Sequence, residues 1–436
     1  MDVLLSVLGI LTVAIGIGIS IGLHELGHYY PARKFGVFVG QFMVGFGPTL
    51  YSRKIGETEF GIKAIPLGGY VSLSGMYPTT PSASRGFTWF RRLVQDARDA
   101  SAETVTDESR VFFRLATWKR VVIMLGGPVM NLVIAAILYV LIFSGFGVMT
   151  ASTTIGYVAE CVKPVTATDQ TCSSTDTPSP AAKAGITPGD VVVAIGGQPV
   201  SSWEAGTAII RDSANTRLVF DLERDGTAIS VTVTPMPTER YDIDDSGNVV
   251  LDSNGEPTVV TVGYVGVGPE SVRQQQSPLV ALTALGGNVV DVGRIIFDLP
   301  NRMIQVWDAA FGTAERDVNG PVSVVGVGRI AGEVASIDGL DWASRISGLL
   351  GILASLNVAL FVFNLVPLLP LDGGHIAIAA IDSVRNGIAK LRGKPQPAPL
   401  DTAKLVPVTI VATVILISMS ALLIYADIVK PITLGL

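Results

Sequence analysis

The chain has 436 residues, of which only 16% are charged, and a positive mean hydropathy. That is too apolar for an ordinary soluble enzyme and points to a multi-pass membrane protein carrying a soluble part. A formal net charge of −6 argues against nucleic acid as a partner.

In chain order, Val3–Leu23 comes first, 21 residues without a charge. Roughly 20 apolar residues suffice to cross a bilayer as a helix. The stretch lacks a basic n-region and a small-residue cleavage site, so residues 1–30 read as a retained span and not as a removed signal peptide. It closes on IGLHELGHYY, which holds two of the three histidines in the chain. HELGH is H-E-x-x-H. At i and i+4, His24 and His28 share one helix face, and both imidazoles can reach one metal ion. Zinc suits two nitrogens and an oxygen, and Glu25 stands beside His24, placed to take a proton from a water on the metal. In an apolar span the bland reading, a buried histidine pair, lacks hydrogen-bond partners among the surrounding Ile, Gly and Leu.

Residues 31–120 carry 13 Lys/Arg against 7 Asp/Glu. Within them FGIKAIPLGGYVSLSGM (60–76) reads as a hairpin or loop dipping toward the membrane. A free strand edge there, with Gly68, Gly69 and Tyr70, is the candidate contact for an unwound substrate backbone. The second span is 121–149. Residues 151–237 follow the order of a PDZ domain: the TIGYVAE strand (154–160), the AAKAG helix start, the VVVAI strand, the SSWEAGTAII helix, and two strands joined by Asp225-Gly226. The likeness assigns 154–160 to peptide binding, the bound chain end adding as a strand. Cys161 and Cys172, the only cysteines, are a candidate disulfide in an oxidising compartment.

Residues 238–343 read as an acidic loop followed by amphipathic helices. DIDDSG echoes a calcium loop through Asp242, Asp244 and Gly247, but Ser253 stands where the twelfth-position Glu belongs, so a solvated loop is expected. Residues 286–312, broken at Pro300, read as a packed helix pair. The third span, 346–371, ends NLVPLLPLDGGHIAIA. A catalytic zinc needs a third protein ligand, and this end offers Asn364, Asp372 and His375. Pro367 and Pro370 break the helix, and Gly373-Gly374 free the backbone. Residue chemistry alone does not choose between Asp372 and His375. Residues 372–404 form a short basic connection, and 405–425 is the fourth span.

Orientation follows from charge. Residues 151–343 hold 11 Lys/Arg against 24 Asp/Glu. The positive-inside tendency puts 31–120 and 372–404 in the cytoplasm, and the PDZ domain and both termini outside. The expected fold is a four-span α-helical membrane protein of the cell membrane, with a membrane-associated β-hairpin and an extracytoplasmic α+β PDZ domain.

HELGH, GFGP (45–48), PLGGYV (66–71), GPVMN (127–131), the PDZ segment and NLVPLLPLDGG (364–374) occur in the order of the site-2 protease family, and the set covers nearly the whole chain. The chain resembles these intramembrane zinc metalloproteases, and the cysteine-bearing insert with TWKR (117–120) resembles their actinobacterial branch. The resemblance implies Zn2+ held by His24, His28 and Asp372, Glu25 as general base, and Asn364 holding substrate. His375 would lie near the site without being a ligand. The implied substrates are single-span membrane proteins, anti-sigma factors among them, already trimmed by another protease. Two rivals are an inactive membrane-anchored PDZ scaffold with a structural metal site and a metal transporter. The first would need a fourth ligand. The second would need polar residues in spans two and four, where Asn131 is the main one.

Overall fold

The computed structural model describes residues 2–76, 92–96, 107–167, 171–173, 175–243, 249–250, 252, 257–395, 397–398 and 400–432. Two contact units emerge. One combines 1–146 with 276–436, and the other is 147–275.

The first unit opens with α1, Asp2–Lys34. The helix runs through HELGH and stops a turn later, at Arg33-Lys34, where basic side chains suit the carbonyl end of a helix. Strands β1 (Val39–Ile55) and β2 (Thr58–Leu73) follow. The expected hairpin at 60–76 takes a different form: the tight turn lies at 56–57, and 60–62 and 69–71, which run in opposite directions, flank 42–44 instead of pairing with each other. Ser52 pairs with Gly61 and Ile55 with Thr58, while Phe42, Met43 and Val44 take partners on two sides: Phe60, Gly61 and Ile62 on one, Val71, Tyr70 and Gly69 on the other. Each strand therefore folds back on itself. Gly45, at φ 94°, adopts the backbone that GFGP needs to reverse direction. The result is a small four-segment sheet with Gly69–Leu73 along one edge. Glu57 in the turn accepts from Arg33 at 2.6 Å and from both terminal nitrogens of Arg110 at 2.8 Å. The two guanidiniums hold its carboxyl down to about 2. Val37, Val39, Leu73, Phe112, Ile123 and Met124 form one buried cluster, which packs the sheet between α1 and α2 (Thr117–Val140).

The second unit is a β domain. Its elements are β3 (Val148–Val158), α3 (Pro180–Ala184), β4 (Val191–Ile195), β5 (Gln198–Pro199), α4 (Trp203–Asp212), β6 (Leu218–Arg224), β7 (Thr227–Val233), β8 (Met236–Tyr241), β9 (Val259–Tyr264) and β10 (Val267–Gln274). Ser179 and Ser202 cap the two helices through their hydroxyls. Asp225 and Gly226, both at positive φ, make the tight β6–β7 turn as the dipeptide predicts. The sheet order is β10-β3-β4-β6-β7, with β5 on β4 and β8-β9 as a separate pair. Ile155, Ile195, Phe220 and Leu222 centre the core, each 1% exposed. Two expectations change. The domain runs on to 275, because β10 pairs along β3. For the same reason TIGYVAE lies inside the sheet, and β10 holds the edge. Cys161 and Cys172 are joined as a disulfide. Asp244, Gly247 and Ser253 of the acidic loop lie outside the described residues.

The chain then returns to the helical unit with α5 (Pro278–Phe297), α6 (Leu299–Phe311), α7 (Val324–Ser336), α8 (Trp342–Asn364), α9 (Asp372–Leu391) and α10 (Val406–Val429). The 286–312 pair breaks at Asp298, two residues before the expected proline, because Pro300 is accommodated in the first turn of α6. α7, in the stretch expected to hold amphipathic helices, packs one face into the helical unit: Ala331, fully buried, clusters with Val13 of α1 and Leu353 of α8. The third hydrophobic helix ends at Asn364, short of the expected 371, and 372–391 is helical where a connection was expected. Among the described residues, five helices are long and apolar enough to cross a membrane, four at the expected stretches and Pro278–Phe297 in addition.

In the β domain Asp190 is fully buried, its carboxylate accepting from Arg224 Nε and Nη2 at 2.7 Å each and from the Thr187 amide at 2.9 Å. Arg224, first, and then the Thr187 bonds hold its carboxyl below the usual carboxylate range. A depressed folded pKa stabilises the fold above the unfolded value of about 3.9, and the contribution is lost as pH falls through the folded value. Asp190→Asn is therefore expected to speed amide exchange in 187–195 at pH 7, with the difference from wild type shrinking below about pH 4. Hydrogen exchange of the whole protein measures this, and a pH-independent difference would contradict it.

Candidate metal centre

α1 presents His24 and His28 on the face toward α2. Their Nε2 atoms stand 3.2 Å apart. Asp372 Oδ2 lies 3.5 Å from His24 Nε2 and 3.3 Å from His28 Nε2. Two ligands about 2.0–2.1 Å from a tetrahedral zinc stand about 3.3–3.4 Å from each other. The three donor atoms thus already outline one face of a zinc tetrahedron, and the fourth corner has no protein donor among the described residues. The ligand chemistry fits too. His28 Nδ1 is 2.8 Å from the Ile123 carbonyl, which can only accept. The proton therefore sits on Nδ1, and Nε2 keeps its lone pair for a metal. Asp372 Oδ2 is buried with no hydrogen-bond donor, as expected of a metal ligand.

The break between α8 and α9 delivers the carboxylate. Asp372 is the first residue of α9, after the proline-interrupted 365–371. The glycines that follow serve close packing and not looseness: a Cβ at Gly374 would come within 2.6 Å of the Leu369 amide nitrogen. His375 stands on the same helix but lines a separate small cavity with Phe112, Arg120 and Thr402, outside the donor group. Of the two candidates the residues left open, Asp372 is the one whose carboxylate joins the donor group.

Glu25 is 8% exposed. Gly69 of the sheet edge lies against it: a Cβ there would stand 2.9 Å from Glu25 Cγ and 3.1 Å from Ile21 Cγ2. Of the other expected substrate contacts, Gly68 borders a cavity beside α1, Tyr70 donates to Gln41 at 3.1 Å, and Asn364 is the half-buried last residue of α8. The role of Gly127 went unrecognised in the sequence. A Cβ there would run into His28 Nε2 and lie 2.7 Å from His24 Nε2. GPVMN contains the signal, but only the packing of α2 on α1 shows what the glycine leaves room for.

Residues 12–399 match the family model described as peptidase family M50. The zinc metalloprotease Rip1 of Mycobacterium tuberculosis is 37% identical over 439 residues, covering 99% of this chain and 100% of the relative. Rip1 of Mycolicibacterium smegmatis is 34% identical, covering 98% of each. The metalloprotease MmpA of Caulobacter vibrioides is 28% identical, covering 87% of this chain and 86% of the relative.

Gly127→Ala is expected to abolish stoichiometric zinc while leaving the helical circular-dichroism spectrum in place, because the added methyl occupies the space between the imidazoles. Elemental mass spectrometry of the purified protein reads this, and zinc at the wild-type level would refute it.

Proposed function

Since the chain belongs to peptidase family M50 and is a zinc metalloprotease of the site-2 type, we propose that it hydrolyses peptide bonds in or near the membrane segment of single-span proteins. Anti-sigma factors already trimmed by another protease are the proposed class. The observation that carries the reading is the convergence of His24, His28 and Asp372 with Glu25 alongside.

His24, His28 and Asp372 would hold zinc, which would supply Lewis acidity and a more acidic water. The Glu25 carboxylate takes a proton from the attacking water and hands it to the leaving amine nitrogen. Its burial keeps bulk water from competing for the transfer. A helical substrate hides its peptide bonds in its own hydrogen bonds and must be unwound. Among the described residues Gly69–Leu73 pairs on one side only, with Val39–Val44, and its other edge is the proposed partner for the extended chain, with Asn364 and Tyr70 beside it. The scaffold reading is the poorer one, because a structural zinc takes four protein ligands and His375 is turned elsewhere.

Four helices are proposed to cross the cell membrane. The ligand cluster joins the C-terminal end of α1 to the residue just after α8, so these two helices run the same way. One crossing between them, by α2, satisfies that, and a second by α5 would reverse α8. Asp291 and Arg294 pair on α5, 61% and 76% exposed, as on a helix that stays at the interface. The basic 31–120 and 372–404 then face the cytoplasm, and both termini with the β domain lie outside. The β domain is proposed to act as a PDZ module. Its ligand, a peptide chain end, would add along β10 and not along 154–160.

Purified protein in liposomes with a single-span reporter tests the activity. Wild type is expected to cleave, Glu25→Gln to be about 10²–10⁴-fold slower, and a chelated sample to be inactive until zinc is restored. Equal cleavage by all three would defeat the mechanism.

A further inference from the structure

One helical turn from His24 toward the start of α1 lies a cavity of about 310 Å³. It is walled by Ile17, Ile21, Val327, Leu353, Leu356 and Leu360, and Gly68 borders it. Three polar residues interrupt this apolar lining, Ser20, Ser323 and Asn357, 5%, 8% and 1% exposed. The Asn357 amide is oriented by its partners. Nδ2 donates to the Leu353 carbonyl at 2.8 Å and to Ser20 Oγ at 3.0 Å. A carbonyl cannot donate, so the atom facing it is nitrogen. Oδ1 is then left buried without a donor, a costly arrangement unless something brings one.

Three occupants can be weighed. A water would have this acceptor and the Ser20 and Ser323 hydroxyls as partners, but it would leave the apolar walls uncovered. A lipid chain would suit the walls but brings no donor. An unwound apolar peptide brings both, side chains for the walls and a backbone N–H released from its helix. Position agrees. Ser20 precedes His24 by four residues, about 6 Å along the helix, and an extended chain advances about 3.3 Å per residue. The acceptor therefore stands about two residues from the bond at the metal centre. Ile21 links the places, since it lines the cavity and meets Gly69 beside Glu25.

We propose that this cavity is a substrate subsite for apolar residues about two positions from the scissile bond, and that Asn357 Oδ1 receives the freed backbone N–H of the chain there. The proposal rests on the protease reading above. Asn357 is a positioning residue and takes no part in the chemistry.

The test uses the reconstituted protein and a semisynthetic single-span reporter in which single backbone amides are replaced by esters, each removing one N–H. Wild type against Glu25→Gln on the all-amide reporter reports separately on the protease reading. Given that activity, Asn357→Leu is expected to lower kcat/KM about tenfold, the scale of one hydrogen bond to a buried acceptor, with zinc content unchanged. An ester two residues from the cleaved bond should cost wild type a similar factor and cost Asn357→Leu nothing further. A penalty in the variant that is the same on ester and amide reporters would overturn the proposal, as would wild type indifferent to every ester. A loss that follows lipid chain length instead of the ester would hand the cavity to an acyl chain. Val327→Phe fills the space from α7 while leaving the Asn357 side chain in place and is expected to shift preference at that position from Leu to Ala. An unchanged preference would also overturn the proposal.

Discussion

The structure turns on one meeting point: two imidazoles on a helix and a carboxylate from the far end of the chain, brought within 3.5 Å of one another in apolar surroundings. Uncompensated, such a cluster is costly in hydrocarbon. A divalent ion reverses the sign, because each lone pair then has a charge to face. The requirement reaches outward. It fixes α1 and α8 parallel, and it requires α8 to stop so that a new helix can begin at Asp372. It also needs α2 close enough for the Ile123 carbonyl to hold the His28 ring, yet bare at Gly127 so that the ion has room.

Small residues and buried polar pairs do work here that apolar packing cannot. Between lipid-exposed helices there is little hydrophobic drive, and close backbone approach with directed hydrogen bonds takes its place. Gly69 lays the sheet edge on Glu25. Asp382, 3% exposed, accepts from Arg120, Arg385 and the Leu400 amide, which ties α9 to the start of α2. That ties the helix bearing Asp372 to the helix bearing Gly127.

Much of this was legible in the sequence, for physical reasons that differ by region. HELGH was readable because charge is so scarce around it that any cluster is informative. The β6–β7 hairpin and the capped helices of the β domain were readable because their signals are local: Asp225-Gly226, Ser179, Ser202. What failed was pairing. TIGYVAE has the composition of an edge strand, yet β10, more than 100 residues later, covers it. The 60–76 stretch contains β-branched residues and glycines fit for a hairpin and does reverse, but its two arms pair with 42–44 and not with each other, since strand partners are set by register and not by composition. Asp372 and His375, three residues apart on one helix, could not be separated by chemistry. They separate only once the direction of the first turn of α9 is known.

The last helix contributes to the site by a route no motif marks. Asp427, 2% exposed, accepts from Arg316 at 2.8 Å and from the Ser323 amide at 2.6 Å. Ser323 in turn caps α7 by accepting from the Val325 and Gly326 amides. Burying an ion pair gives little net stability, but stranding one partner costs about 3–5 kcal/mol, so the value of this pair is in holding one arrangement. What it holds is the turn at 322–324, whose three residues form a wall of the cavity beside Ser20 and Asn357. The end of α10 thereby sets the shape of a space that opens a helical turn from the metal ligands. These charges act on the apolar walls of the cavity and not on the metal-ligating residues themselves.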